Sequence, residues 1–274
     1  MGVGRRKFIK KLFWFFTGLT GLFIFNGFWF EKYCIDWNSF DLAENRTNKL
    51  KLIQLSDLHL NEIKSFHKSI ATRINKENPD AIVFTGDTIS RRNKLPVLKE
   101  FLELIHQDIL KIVILGNKEY SSRVSIPDFT SLFQKYNGHV LVNENYVLRK
   151  RNRIVNILCL DDLIGGNPNF ELAIQSINKT KDTVILNHCP EYRDTIDEIN
   201  ITEKVTIKLI LSGHTHGGQI TFFGKELYKP GGSGRYLRGW YKNKHSQMYV
   251  SKGVGTTILP IRFGARAEAS IFYV

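Results

Sequence analysis

Seven side chains able to hold a divalent cation stand directly after short apolar runs: Asp57, His59, Asp87, Asn117, His188, His214 and His216. Leu52 to Leu55 leads into Ser56-Asp57-Leu58-His59, Ala81 to Phe84 into Thr85-Gly86-Asp87, and Ile112 to Leu115 into Gly116-Asn117-Lys118-Glu119. Val184 to Leu186 leads into Asn187-His188, and Leu209 to Leu211 into Ser212-Gly213-His214-Thr215-His216. Seven oxygen and imidazole donors are too many for one ion but suit two ions sharing a carboxylate. Such a pair generates hydroxide from a bound water near neutral pH and polarises a phosphoryl group for in-line attack. Imidazoles mixed with carboxylates favour Mn2+, Fe2+ or Zn2+ over Mg2+ or Ca2+, and Mn2+ is ranked first. Cys34, Cys159 and Cys189 are odd in number and scattered, which argues against a disulfide framework and a cysteine-rich zinc module.

These donors lie up to about 160 residues apart, so a sheet must bring them together. The apolar runs 52–55, 81–84, 112–115, 154–160, 184–186 and 209–211 are rich in β-branched residues and Leu, and read as buried strands. Helix-like segments lie between and after them at 65–78, 96–106, 128–136, 170–178 and 192–199, a βαβ succession that predicts an α/β sheet with its ligand crevice at the carboxyl ends of the strands. Asp57 and His59 are two apart, as are His214 and His216, a spacing that puts both side chains on one side of an extended segment. Glycines at 86, 116, 213, 217 and 218 let the backbone turn close to a ligand. Beyond Gly217 the helical period fades into a glycine-punctuated β segment that includes 248–251 and 270–274. His67, His106, His139 and His245 fall outside this pattern and are expected at the surface.

The 274 residues suffice for a sizeable core, and 42% hydrophobic with 24% charged residues exclude a disordered or collagenous chain. The net charge of +13 is uneven: Arg5, Arg6, Lys7, Lys10 and Lys11 stand in the first eleven residues without an acid. The apolar run Leu12 to Phe30 follows, nineteen residues that span roughly 28 Å as a helix, with Trp14 and Trp29 near its ends. It is expected to be a retained membrane anchor, since no small-x-small cleavage site follows. Arg5-Arg6 also resembles a twin-arginine export signal, which leaves the side of the membrane open. The expected organisation is a basic segment at 1–11, an anchor at 12–30, a linker at 31–48 and a catalytic domain at 49–274.

Taken in order, Asp57-x-His59, Gly86-Asp87, Gly116-Asn117, His188 and Gly213-His214-Thr215-His216 resemble the five motifs of the calcineurin-like metallophosphoesterases, over essentially residues 50–274. Asp161-Asp162, Gly213 to Gln219 and the ending Tyr249-Val250-Ser251-Lys252-Gly253-Val254-Gly255-Thr256, with the N-terminal anchor, look like the membrane-associated bacterial branch. The resemblance implies a four-layer α/β sandwich of two mixed β-sheets flanked by helices, and a metal-dependent hydrolase of phosphoric esters or anhydrides. It also implies one metal held by Asp57, His59, Asp87 and His216 and a second by Asp87, Asn117, His188 and His214, with Asp87 bridging.

The family usually places a histidine after the motif asparagine; here it is Lys118. Lysine clamps a phosphate well but shuttles protons poorly near neutrality. An alkoxide leaves badly without a proton, whereas a phosphate released from an anhydride is a good leaving group, so Lys118 favours phosphoanhydrides. The departure is similar to that of the UDP-2,3-diacylglucosamine hydrolases of lipid A synthesis, which carry arginine there. The leading expectation is therefore an inner-membrane enzyme cleaving the pyrophosphate of a lipid-linked nucleotide. A rival is an exported phosphatase or phosphodiesterase acting on envelope phosphates; a metal-free scaffold conflicts with a complete ligand set. Arg91-Arg92-Lys94, Arg149-Lys150-Arg151-Arg153 and Arg235 with Arg238 suit a charged substrate or anionic headgroups, and no nucleic-acid recognition module is visible.

Overall fold

The structure, a computed structural model, describes residues 2–43, 48–150 and 152–274. Arg151 and part of the expected linker lie outside them. The expected alternation of strands and helices builds two six-stranded sheets. The first runs in the order β1 (Asp36–Asp41), β14 (Glu268–Tyr273), β2 (Lys51–Leu55), β3 (Ala81–Thr85), β4 (Leu110–Ile114) and β5 (Gly138–Val140). All its pairs are parallel except β14 with β2. The second runs β12 (Gly239–Lys242), β13 (Gln247–Val250), β9 (Ile207–Ser212), β8 (Thr183–Leu186), β7 (Arg153–Cys159) and β6 (Glu144–Lys150), antiparallel only at its two edges. A two-stranded hairpin, β10 (Thr221–Phe222) with β11 (Lys225–Glu226), stands apart from both sheets.

The strands are apolar on both faces, and their period of two sorts them into separate cores. Leu52, Ala81, Val83, Ile112 and Ile114 face Val155, Ile157, Val184, Leu186, Leu209 and Leu211 between the sheets. Their neighbours Ile53, Leu55, Ile82, Phe84 and Val113 turn the other way, onto α3 (Ser65–Glu77), α4 (Leu95–Glu103) and α6 (Ile126–Lys135). Leu158, Ile185 and Ile210 meet α7 (Phe170–Ala173) and α8 (Arg193–Glu203) on the far side of the second sheet. Three apolar interfaces thus join four layers, helix, sheet, sheet, helix, which is the fold expected from the motifs.

Local chemistry explains the boundaries. Pro96 opens α4 and Pro127 opens α6, where the Ser125 hydroxyl accepts from the Asp128 N–H; Asn78, at φ 44°, closes α3. The helix expected at 170–178 stops at Ala173, whose carbonyl accepts from Asn145 Nδ2 at 2.9 Å. Residues 36–41, expected within a linker, instead form β1 at the edge of the first sheet, in register with β14 from Asp36 against Glu268 to Asp41 against Tyr273. Its mixed sequence DWNSFD hides the strand, because only Trp37 and Phe40 reach the cores.

At the N-terminus α1 (Gly2–Phe25) continues through a π-helical turn at Asn26–Phe30 into α2 (Glu31–Tyr33). From Gly4 to Tyr33 the helix is long and apolar enough to cross a membrane, and its apolar stretch is laid bare. Its root is fastened to the domain: Glu31 Oε2 accepts from Ala265 N at 3.0 Å, Glu31 O from Ala267 N at 2.8 Å, and Gly27 O from Arg262 N at 3.0 Å. All three cysteines carry free thiols. His106, His139 and His245 lie at the surface as expected, but His67 is buried, because its Nδ1 caps α3 by accepting from Lys64 N at 3.0 Å.

Candidate metal centre

The loops after β2, β3, β4, β8 and β9 meet at the carboxyl ends of the two sheets and bring all seven donors together. Asp57, His59, Asp87, His188, His214 and His216 are each at most 5% exposed. The two-residue spacing does not place its pairs on extended backbone. Asp57, His59, Asp87, His214 and His216 all take the left-handed region, with φ between 46° and 71°. Non-glycine residues rarely sit there, and such strain persists only where surrounding bonds over-determine it. Those bonds are present: Asp57 Oδ2 accepts from Ser56 Oγ at 2.6 Å, and both Asp57 oxygens accept from His214 N at 3.0 and 3.1 Å. Gly86, at φ 90°, faces the His188 ring so closely that any side chain there would collide with it.

The donors fall into two groups. In the first, His59 Nε2 lies 3.0 Å from His216 Nε2 and 3.6 Å from Asp87 Oδ2, and His216 Nε2 lies 3.6 Å from Asp57 Oδ1. In the second, Asn117 Oδ1 lies 3.0 Å from His214 Nδ1 and 3.2 Å from His188 Nε2, which is 3.5 Å from Asp87 Oδ1. Asp87 presents one oxygen to each group.

Tautomers decide what these nitrogens offer. His188 Nδ1 donates to Thr85 O at 2.7 Å and His214 Nε2 to Gly231 O at 2.6 Å, so in the neutral form each ring turns a lone pair toward Asn117. With both rings neutral, three acceptors converge there, and the only proton between them is the one that Asp87 draws onto His188, an arrangement in which a cation can take the proton's place. Burial holds three of the imidazoles neutral: it lowers His59 to about 3 and His214 to about 4, helped by the cationic Lys118 beside His59 and by His188 beside both, and it takes His216 well below its ordinary value. His188 is the exception: against its burial, the Asp87 and Asp57 carboxylates raise it to about 9, so it carries a proton that a metal ion at Nε2 would replace. Burial likewise raises the Asp87 carboxyl, against the pull of His188. The chemistry of this donor set fits a metal pair.

Two residues that hold the donors in place are invisible as chemistry in the sequence. The buried Glu119 carboxylate accepts from the backbone N–H of Asp87, Thr88, Ile89 and Gly116 at 2.8 to 3.3 Å and from Thr88 Oγ1 at 2.8 Å, fixing the loops that carry Asp87 and Asn117. Its only sequence signal is a carboxylate three residues after Gly116, at the start of α5 (Asn117–Ser121). Arg262 is fully buried and donates to the carbonyls of Lys252, Gly253, Gly255 and Ala265 at 2.5 to 3.0 Å, with Nη2 3.4 Å from His216 Nδ1. Burial lowers its guanidinium to about 10, still cationic at neutral pH. No motif marks it.

A cavity of about 420 Å³ opens over the second group. Asp87, Asn117, Lys118, His214 and His216 line its floor, and Ile164, Ile220, Leu227, Tyr228, Pro230, Ile258 and Leu259 its wall. Lys118 is half-buried at this floor, and its N–H donates to Asp87 Oδ1 at 2.8 Å. Of the basic clusters, Lys150 and Arg153 lie in strands and pair with Asp80 and Asp182, and Arg235 pairs with Asp194. Arg91 and Arg92 are exposed just beyond Ser90, whose hydroxyl lies 3.0 Å from His59 Nδ1.

Comparison with known proteins agrees with this geometry. The profile of the calcineurin-like phosphoesterases matches residues 50–218, and the chain belongs to that family. It is 31% identical over 241 residues to the metallophosphoesterase YkuE of Bacillus subtilis, covering 81% of this chain and 78% of that one. A Danio rerio protein named as a transmembrane protein with a metallophosphoesterase domain is 27% identical, over 81% of this chain and 52% of its own length. Among solved structures, a dimetal phosphatase from Danio rerio aligns over 81% of this chain and 98% of its own, at 12% identity and a TM-score of 0.47. Family and donor set together define a metal-dependent phosphoesterase with a site for two metal ions.

Proposed function

We propose that the protein is a membrane-anchored dimetal phosphohydrolase whose substrate is an amphiphile, cleaved at the pyrophosphate of a lipid-linked nucleotide. The anchor is the apolar stretch at 12–30. Asp57, His59, Asp87 and His216 hold one ion, and Asp87, Asn117, His188 and His214 the other, with Asp87 shared. Mn2+ suits the mixed imidazole and carboxylate set. When bound, such a pair supplies a hydroxide at neutral pH and polarises the phosphoryl oxygens.

The remaining work belongs to the chain's own residues. Glu119 and Arg262 keep the donors in their strained positions. Lys118 clamps a phosphate oxygen at the cavity floor as a fixed positive charge and leaves departure to the leaving group's own acidity. The apolar wall excludes water and takes the hydrocarbon part of the substrate.

The observation that carries this reading is the cavity itself, with the acceptor-rich floor and Lys118 on one side and Ile220, Leu227, Ile258 and Leu259 on the other. Purified full-length protein with Mn2+ should hydrolyse UDP-diacylglucosamine or another lipid-linked nucleotide pyrophosphate in preference to water-soluble phosphodiesters and phosphomonoesters. Equal or better turnover of the soluble esters would contradict it. That outcome would favour the second reading, an exported phosphodiesterase or phosphatase, which Arg5-Arg6 supports and which a reporter-fusion map of the side holding the domain would separate from the first.

A further inference from the structure

Beside the metal centre the surface is apolar where a water-soluble enzyme would be polar. Phe223 is fully exposed and Ile258 is 84% exposed, with Leu227, Tyr228 and Leu259 more than half exposed around the cavity mouth. Phe223 and Ile258 point outward from turns in which both have positive φ, 49° and 60°. A contiguous apolar patch of this kind marks an interaction surface.

Its position relative to the N-terminal helix says what covers it. Phe23 of α1 packs against Phe263 at 4.2 Å and Phe222 at 6.2 Å between ring centroids. Trp29, Tyr33, Lys32 and Lys64 surround the root of the helix, with both ammonium groups over the Tyr33 ring, the mixture of aromatic and basic residues that settles at a membrane interface. Phe23 lies six residues nearer the N-terminus than Trp29, about 9 Å along the helix axis. Whatever packs on Phe23 therefore lies at the depth of the helix's apolar section, inside the interface level.

We infer that the loops carrying Phe222, Phe223, Leu227, Tyr228, Ile258 and Leu259 are embedded in the upper part of the bilayer that holds α1, so that the cavity opens at the level of the lipid headgroups. The inference rests on the anchor reading and not on which phosphate is cleaved. The hydrogen bonds from Ala265 and Ala267 to Glu31 and from Arg262 to Gly27 fix the helix to the domain, so the rim cannot swing away while the helix stays inserted. Lys225 and Lys229, exposed beside the rim, have stems long enough to bring their charges to the phosphate level. An amphiphile could then enter the cavity sideways without leaving the lipid.

The test places one cysteine at a time, in a Cys34→Ser background of the full chain, at Phe223, Ile258, Leu19 or Lys181, and attaches an environment-sensitive fluorophore. Phe223 and Ile258 are exposed turn positions, so the label displaces no packed neighbour. The protein is reconstituted into vesicles of phosphatidylcholine and phosphatidylglycerol, with or without brominated phosphatidylcholine. The labels at Phe223 and Ile258 should shift to shorter wavelength and lose emission to the brominated lipid to a degree comparable with Leu19, while Lys181, on the opposite end of the strands, stays unquenched. Quenching at Leu19 without quenching at Phe223 and Ile258 would overturn the inference, as it would if a second copy of the chain covered the rim. Absence of quenching at Leu19 itself would overturn the anchor and the inference with it.

Discussion

Asp87 faces both groups of donors, one oxygen to each. Asp87→Ala or His188→Ala should therefore lower turnover at least a hundredfold while leaving the melting transition in place, since loss of a ligand exceeds the 10- to 100-fold typical of the residues behind the ligands. More than a few per cent of activity with metal in excess would contradict the assignment. Lys118 allows a finer test. Lys118→Ala should lose a charge-assisted contact of about 1.5 to 3 kcal/mol, roughly ten- to two-hundred-fold in rate, while Lys118→Arg keeps most activity on a pyrophosphate. Lys118→His should shift preference toward alkyl phosphodiesters by supplying an acid with a pKa near 6.5; equal losses on both substrate classes in all three variants would refute the leaving-group argument. His67, remote from the centre, carries a stability signature. Burial, with Lys64 alongside, lowers it to about 4, so the fold favours the neutral ring. Its contribution is complete above pH 6.5 and is lost as pH falls toward 4, up to about 3 kcal/mol, and His67→Gln should flatten that part of a pH series of thermal melts. The clustering of Asp57, His59, Asp87, Asn117, His188, His214 and His216 was legible because each stands just after an apolar run. Glu119 and Arg262 were not, because their partners are backbone groups of other loops, whose proximity exists only after folding.

At the scale of elements, strands whose faces are both buried announce themselves as continuous apolar runs, and all six of those runs became strands. The edge strand β1 did not, since an edge needs few apolar residues and draws its order from β14. The same fact sets where the chain can be cut. Deleting residues 1–25 removes the exposed helix and, of its packing on the domain, the contact of Phe23 with Phe222 and Phe263, and should leave a folded protein, active on water-soluble substrates. Deleting residues 1–41 also removes the Glu31 and Gly27 hydrogen bonds and the pairing of β1 with β14. A cost of about 3 kcal/mol or more is expected, lowering the melting temperature by roughly 6 to 12 °C. Identical melting of the two truncations would show that residues 26–41 are dispensable.

For the whole molecule, the order of strands and helices pointed to an α/β sheet and the resemblance of the motifs to two sheets between helices, and the three apolar cores account for that arrangement. What periodicity could not convey is the left-handed backbone at Asp57, His59, Asp87, His214 and His216, or that the loop around Ile258 closes one wall of the cavity over Lys118. Both arise from packing between segments up to about 200 residues apart. The central claim is that this packing builds one site for two ions bridged by Asp87. Metal analysis of purified protein loaded with Mn2+ and desalted tests it directly, comparing wild type with Asp87→Ala, His59→Ala and His214→Ala. Wild type should retain two ions per chain, His59→Ala and His214→Ala one each, and Asp87→Ala fewer than either. Retention of a single ion by wild type, or of two by Asp87→Ala, would contradict the account.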